Sequence, residues 1–593
     1  MMKDFYENLL PGLKEARDSL ATVNRRFSFL RLILFIAFAS FAVAGFIKSY
    51  NIFLFGLSAA CLIAFIVVCV FHRRSRHYED LLVEKISSCE RYLARIDGDF
   101  SKLTDGGSEF INHSHPFSSD LDIFGSHSLF ALYNTSHFVY GRTNFAERLK
   151  YRDFKKLTKA SVEADQKIVK ALSDDPEFLL DYESAGSLYS VDKVPEALIR
   201  LCNEKRKLPS GLKHLYKLVP FLWLIPVVSV FLGNSSVGRV SALLIVLINF
   251  LIWFFFSKND YTDIFKAGMI SRQIDAVRER VTLLVEDDKK SLFVPGFLDE
   301  NIENDIKALM SACKLCSLRE QPIMALIFNA LMPYDILCAD RLYRWSCEHG
   351  DKLLNSINGL GIIESLMSTA VPGLISRNAC FPKIVEDKKA FFDGTDITHP
   401  LLDPSKAVSN SVKIDSNTAL ITGSNMSGKT TLIRTVGVMC VLTYIGAMVP
   451  ASSVTTSIMR ILTSMRIADS LEENMSTFKA ELIRIGRIVE ASKDETPMLY
   501  LIDEIFRGTN SQDRTDGAQM VLNNLLKPHI SGFMTTHDYA LCDRIIAKKT
   551  EGVIFYHFSE RYEEDSVIFD YKLRDGMSHE SNAKFLMKLV GIS

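Results

Sequence analysis

The chain reads as a multi-domain protein in which α-helical membrane hairpins and a helical domain precede a C-terminal α/β domain of the phosphate-loop kind. Three observations predict this. The stretch Gly423-Ser424-Asn425-Met426-Ser427-Gly428-Lys429-Thr430-Thr431 fits G-x-x-x-x-G-K-[ST] and directly follows the apolar run Ala419-Leu420-Ile421. Two pairs of long apolar runs interrupt the first half of the chain. Finally, 593 residues exceed what one hydrophobic core holds together.

Composition narrows the function classes. Lys and Arg number 69 against 70 Asp and Glu, a formal charge of -1, so no global basic footprint points to nucleic acid and any such contact must be a local patch. The 11 cysteines follow no regular spacing, and Cys61 and Cys69 sit in apolar segments, which suits a reducing compartment. Cys313 and Cys316 have metal-ligand spacing but no second pair, so they read as one face of a helix.

The first apolar pair is 32–47 and 52–71, joined by Lys48-Ser49-Tyr50-Asn51; the second is 218–232 and 240–256, joined by Gly233–Arg239. The central parts carry no charge and are apolar all round, with Asn249 as the interruption in the last run, so lipid is the expected surroundings and four spans the expected count. Arg25, Arg26 and Arg31 precede the first hairpin and Arg73, Arg74 and Arg76 follow it, while its link holds only Lys48. Lys213, Lys217 and Lys258 flank the second hairpin, whose link holds Arg239. The basic bias places both ends of each hairpin in the cytoplasm, with the C-terminal domain, and predicts a multi-pass protein of a bacterial inner membrane. A second span follows the first at once and no small-residue cleavage site intervenes, so the first reads as an anchor.

Elsewhere the first half is helical. Residues 78–105 show helical spacing ending near Gly98, Ser128–Lys150 forms another helical stretch, and Lys258–Glu286 places Ile264, Ile270, Ile274, Val277 and Val281 on one face. Residues 296–350 are again helical, with Pro322 and Pro333 as starts or breaks, and Gly359–Gly373 is richer in Gly and Pro. The expected divisions are 1–105, 106–365, a linker over 366–395, and a domain over 396–593.

The C-terminal third carries the chemistry. In the phosphate loop the glycines let backbone N–H groups turn toward the phosphates of ATP, Lys429 reaches the β- and γ-phosphates, and Thr430 ligates Mg²⁺, with a helix opening at Thr431. Downstream, Met498-Leu499-Tyr500-Leu501-Ile502-Asp503-Glu504 is an apolar strand ending in two acids. Asp503 is placed to hold the Mg²⁺ shell and Glu504 to orient or deprotonate water, which argues for hydrolysis rather than storage of ATP. Gly532-Phe533-Met534-Thr535-Thr536-His537 is a further strand, with a histidine placed to bond the γ-phosphate or the water.

These residues resemble the MutS family of DNA mismatch-repair ATPases, whose phosphate loop reads G-P-N-M-x-G-K-S-T. Matching stretches continue in order at Tyr444–Ala451, Met475–Glu481, Asp503–Asn510 and Tyr571–Gly576, with weaker likeness at His399–Leu402 and from Ser128 to Arg142. The resemblance implies an ABC-type ATPase that works as a homodimer, with Ser476 approaching the γ-phosphate held by the other subunit. It further implies that 115–212 and 258–365 are core and lever helices, and that DNA is a partner. Tyr571 becomes the expected stacking partner of the adenine, since the family's upstream Phe is replaced near Ala407-Val408.

Departures qualify the likeness. Family members that repair mismatches carry a large N-terminal reading domain with a Phe-x-Glu motif; here Phe5-Tyr6-Glu7 matches only as Phe145-Ala146-Glu147 and Phe558-Ser559-Glu560 also do. Phe506 stands where the family has Gly, and Asn474-Met475 where it has Gly-Arg. The second hairpin falls where the levers would carry a DNA clamp. Two functions therefore compete: an ATPase cycle that acts on DNA, mismatched or branched, and an ATP-driven membrane scaffold or mechanoenzyme acting on protein or lipid. A transporter fits less well, because the spans lack a central charge to mark a substrate path.

Overall fold

A single side chain sets the first turn. Asn51 Oδ1 accepts from the backbone N–H groups of Phe53 (3.0 Å) and Leu54 (3.3 Å), capping the second helix of the hairpin. This is seen in a computed structural model that describes residues 2–577 apart from 49–50, 152–155, 191–194, 258–266, 289, 295, 387–388, 425, 466–476, 507–509 and 564–565. In chain order the helices before the first strand are α1 (Met2–Ile47), α2 (Ile52–Asp97), α3 (Leu129–Tyr133), α4 (Val139–Leu149), α5 (Lys159–Ser173), α6 (Pro176–Leu188), α7 (Glu196–Glu204), α8 (Ser210–Leu222), α9 (Leu224–Phe231), α10 (Ser235–Ser257), α11 (Ala267–Glu286), α12 (Lys290–Phe293), α13 (Ile302–Ser317), α14 (Pro322–Leu331) and α15 (Tyr334–Ile375). Then come β1 (Lys383–Val385), β2 (Phe391–Ile397), β3 (Asn410–Asp415), β4 (Thr418–Thr422), α16 (Lys429–Tyr444), β5 (Ser453–Ser457), β6 (Arg460–Ser464), α17 (Thr477–Ala491), β7 (Met498–Asp503), α18 (Ser511–Leu525), β8 (Ile530–Thr535), α19 (Tyr539–Ala547), β9 (Val553–Glu563) and β10 (Ser566–Asp575).

The chain divides into two units. One comprises residues 1–135, 145–180 and 366–593, the other 136–144 and 181–365. In the first unit α1 and α2 form an antiparallel hairpin. Its polar end is zipped by stacked Tyr6 and Tyr92 rings (4.9 Å) and by the Lys14–Glu90 and Lys3–Asp97 ion pairs at 3.0 and 2.7 Å. Its apolar end turns Phe35, Phe46, Ile63 and Phe71 outward. Left-handed Gly98 (φ 72°) stops α2, near the end that its periodicity predicts.

Two sheets complete the first unit. Among the described residues, one runs β1-β5-β2-β3 and the other β10-β9-β4-β8-β7-β6. In the larger sheet β4 pairs parallel with β8 and β9, and β7 pairs parallel with β8 and β6. Every residue of β4, β7 and β8 is buried, as expected of parallel strands covered on both faces. Because the three strands run the same way, the ends that carry Thr422, Asp503 and Thr535 share one margin of the sheet.

In the second unit, α8, α9 and α10 make the other apolar hairpin, with Leu224, Phe231, Leu247 and Phe255 turned outward. Among the described residues, four segments of the two hairpins are long and apolar enough to cross a membrane: α1, α2, the joined α8 and α9 (Ser210–Phe231), and α10 over Ser235–Phe256. Pro322 opens α14 at its first turn and Pro333 immediately precedes α15, as their missing N–H groups favour.

Two sequence expectations change. The linker expected over 366–395 is structured, since α15 continues to Ile375 and β1 and β2 follow. The stretch from Gly359 to Gly373, richer in Gly and Pro, lies inside α15. Gly359 is there for close approach: a Cβ would sit 1.9 Å from the Phe297 carbonyl oxygen. The helical stretch Ser128–Lys150 is split into α3 and α4, where the Ser136 hydroxyl accepts from the Phe138 backbone N–H (3.2 Å) in competition with helix.

Candidate active site

The loop between β4 and α16 is shaped by residues in the left-handed region, Gly423 (φ 145°), Met426 (φ 73°) and Gly428 (φ 107°). The first and last are free to adopt it; Met426 adopts it at a cost, with its side chain 83% exposed. The turn aims the N-terminus of α16 into a cleft of about 580 Å³ lined by Ser424, Met426, Gly428, Lys429, Thr430, Thr431 and Glu504 together with His399, Lys406, Val408 and Tyr571. The first N–H groups of a helix have no acceptor within the helix, so its N-terminus favours an anion. Ser427 lies beneath, its hydroxyl donating to the Ser424 carbonyl at 2.9 Å. Asn425 lies outside the described residues.

Lys429 is 5% exposed, and its ammonium donates to the carbonyls of Gly423 (2.7 Å) and Ser424 (2.6 Å). The cation is thus carried above the loop by the loop itself. Thr430 Oγ1 donates to Asp503 Oδ2 (2.9 Å), and Thr535 Oγ1 donates to Asp503 Oδ1 (2.6 Å). A hydroxyl and a carboxylate, oxygen donors only, fit Mg²⁺ with several of its waters retained.

Glu504 follows β7 in a left-handed conformation (φ 50°), and its backbone N–H donates to Thr535 Oγ1 (3.0 Å). Its Oε1 lies 2.7 Å from His537 Nε2. That nitrogen also lies 3.2 Å from Lys429 Nζ. A carboxylate only accepts, so the shorter contact assigns the proton to Nε2, donated to Glu504, and the Lys429 ammonium beside it is then a neighbouring donor and not a hydrogen-bond partner. Lys429, Thr430, Asp503, Glu504 and His537, drawn from three strand ends, are therefore brought together. Tyr571 takes a left-handed conformation (φ 54°) on β10, its carbonyl accepting from Asn410 Nδ2 (2.9 Å), and the exposed residue lines the same cleft as Glu504. Ser476 lies outside the described residues.

Several neighbours carry no signal of their own in the sequence. Thr535 holds the Asp503 carboxylate and the Glu504 backbone N–H, which requires that β7 and β8 be adjacent. Glu560 accepts from the Ser424 hydroxyl (2.6 Å) across 136 positions. Glu481, 4% exposed, accepts from the backbone N–H of left-handed Phe506, the residue that departs from the family pattern. Phe506 also packs edge-on against Phe478 (6.1 Å).

His399 forms part of the cleft wall and is buried; its Nδ1 accepts from the Leu401 N–H (3.3 Å), so the ring is neutral. Burial first, then the charges of Arg434 and His127, push its pKa down to about 3 from an ordinary 6.5. A depressed folded value means stability that is full above pH 6.5 and is lost as pH falls toward 3. At pH 5 the loss is about 2 kcal/mol. His399→Asn, whose side-chain oxygen replaces Nδ1 as acceptor, is expected to reduce the fall in unfolding midpoint between pH 7.5 and pH 5. An equal fall in both proteins would remove His399 as its source.

Residues 419–592 match the family described as MutS domain V. Over 260 residues the chain is 31% identical to "DNA mismatch repair protein MutS" of Thermotoga maritima, covering 42% of this chain and 32% of that protein. It is 30% identical over 254 residues to "DNA mismatch repair protein MSH3" of Vanderwaltozyma polyspora, covering 41% and 24%. It is 30% identical over 221 residues to "Endonuclease MutS2" of Clostridium novyi, covering 36% and 27%. The chain thus spans about a third or less of the length of these curated relatives, and the likeness lies in its C-terminal part. That part is an ABC-type ATPase domain of the MutS kind.

Proposed function

From a MutS-type ATPase domain at the C-terminus, we propose a membrane-anchored enzyme that binds and hydrolyses ATP as a homodimer and couples the cycle to DNA. The observation that carries the catalytic half is the single cluster formed by Lys429, Thr430, Asp503, Glu504 and His537 at one margin of the sheet. Thr430 and Asp503 would hold Mg²⁺, which would supply positive charge to the phosphate oxygens. Lys429 exchanges its loop carbonyls for phosphate oxygens, the α16 N-terminus adds backbone N–H donors, and Tyr571 stacks on the base. Glu504 accepts the proton of the attacking water, and His537 orients the carboxylate through its Nε2–H. Ser476 completes the site from the second copy, as the family likeness suggests.

Lys429→Ala removes one charge-assisted contact of about 1.5–3 kcal/mol, so ATP affinity should fall about 10- to 100-fold in equilibrium binding. Unchanged affinity would take Lys429 out of the phosphate site.

The relatives' names supply the DNA half, and the apolar hairpins supply the anchor: outward Phe35, Phe46, Leu247 and Phe255 are expected to lie in the cytoplasmic membrane of a bacterium, with the ATPase domain in the cytoplasm. ATPase rate with and without homoduplex, heteroduplex and junction DNA tests the coupling on solubilised protein. Stimulation with salt-dependent binding supports it; no response to any DNA removes it.

A second reading has an observation in its favour, namely that the second unit carries the outward-facing apolar hairpin α8–α10. In that reading the ATPase dimer drives a membrane scaffold or mechanoenzyme acting on a protein or lipid partner. Deleting residues 215–257 would then abolish function while leaving any DNA affinity intact.

A further inference from the structure

Helix α14, Pro-Ile-Met-Ala-Leu-Ile-Phe-Asn-Ala-Leu from Pro322 to Leu331, carries no charge and shows its apolar face outward. Ile323, Leu326, Ile327 and Leu331 recur at helical spacing and are 73%, 49%, 45% and 48% exposed, whereas Ala325 and Asn329 are buried. The helix packs beside α10, whose Leu243, Leu247 and Leu251 also face outward. The two neighbouring helices thus both leave large apolar residues exposed, and exposed apolar surface of this kind marks an interaction site.

Two of the terminal carbonyls of α14 take side-chain donors from the neighbouring apolar helices, and a third is closed by the helix's own cap. Its Ala330 carbonyl accepts from Asn249 Nδ2 (2.8 Å), its Leu331 carbonyl from Trp223 Nε1 (2.6 Å), and its Phe328 carbonyl from the Met332 N–H (2.9 Å). Solvent would satisfy such terminal carbonyls at no cost in side chains; in hydrocarbon they need dedicated donors. Asn249, the polar interruption in an otherwise apolar run and 0% exposed, thereby gains a purpose. The joint to α15 is equally closed. Asp335 takes both Arg319 donors (2.9 and 2.7 Å), Asn329 Nδ2 (2.9 Å) and Trp253 Nε1 (3.0 Å).

Ten residues span about 15 Å, half of a hydrocarbon core of about 30 Å. Charge brackets the helix, with Lys314 and Arg319 before it and Asp335, Asp340, Arg341 and Arg344 after it, and α15 leaves at 95°. The helix therefore cannot cross. We propose that α14 is a half-depth membrane element: it enters the cytoplasmic leaflet beside α10 and leaves on the same side, with Ile323, Leu326, Ile327 and Leu331 against lipid acyl chains. This rests on the reading of α8–α10 as a membrane hairpin.

The test places a nitroxide-bearing non-natural residue at 327, at 247 in α10, or at 520 on α18, in the full chain with its native cysteines. The protein is reconstituted in phosphatidylethanolamine–phosphatidylglycerol vesicles, and collision with oxygen is compared with collision with a water-soluble nickel chelate. Positions 327 and 247 are expected to favour oxygen several-fold, and 520 the chelate. Chelate access at 327 with oxygen preference at 247 overturns the proposal and leaves the hairpin standing. Chelate access at both overturns both. Low access to either reagent at 327 indicates a protein contact and also overturns it.

Discussion

Replacing Glu504 with Gln is expected to lower steady-state ATP hydrolysis by about 100-fold or more while ATP affinity stays within a few-fold. The amide keeps the shape of the carboxylate, and its oxygen can still accept from His537 Nε2, now 2.7 Å from Oε1. The backbone contact to Thr535 is untouched, because it uses the Glu504 N–H. Only the capacity to take a proton is lost. Lys429 and the Thr430–Asp503 pair remain, so binding persists. Phosphate release measured beside equilibrium ATP binding separates the two effects. A Gln variant with unchanged turnover would exclude Glu504 as base and shift attention to His537, whose own removal would leave the Glu504 carboxylate without this donor.

What could be read from the sequence followed locality. A buried strand, a glycine-bearing loop and a helix are consecutive in the chain, so the phosphate loop and both strand-end motifs could be placed without knowing the sheet order. Thr535 could not, because its bonds to Asp503 and Glu504 exist only once β8 lies against β7. The same holds for Glu560 on Ser424 and for His399 in the cleft wall. Nor does composition give the reason for Gly359 and Gly361, which sit within α15 where neighbouring backbone or side chains leave no room for a Cβ. Asn249 could be seen as an interruption of an apolar run, but its partner, the Ala330 carbonyl, is 81 residues away.

The largest stability effect is expected at Arg280, which is 1% exposed and lies at the centre of the second unit's polar network. Its Nε donates to Glu364 Oε1 (2.7 Å), Nη1 to the carbonyls of Tyr189 (3.1 Å) and Ala276 (3.0 Å), and Nη2 to that of Gly186 (3.1 Å). Its guanidinium also lies 5.2 Å from the centroid of the Phe138 ring. Glu364 in turn accepts from Tyr182 Oη (3.2 Å) and from the Ser136 hydroxyl. The network thus joins α6, α11 and α15 to the residues that open α4. Arg280→Ala leaves a buried carboxylate without its cation, at a cost of about 3–5 kcal/mol. For a unit of this size the unfolding midpoint should fall on the order of 10 °C. Adding Glu364→Gln to Arg280→Ala should recover part of the loss, because the charge goes while Tyr182 and Ser136 keep an amide oxygen as acceptor. Recovery stays incomplete, since the Gly186 and Tyr189 carbonyls lose their donor in either variant. Strictly additive losses in the double variant, measured by calorimetry in detergent, would mean that the pair's charges are not coupled and that Arg280 acts through packing alone.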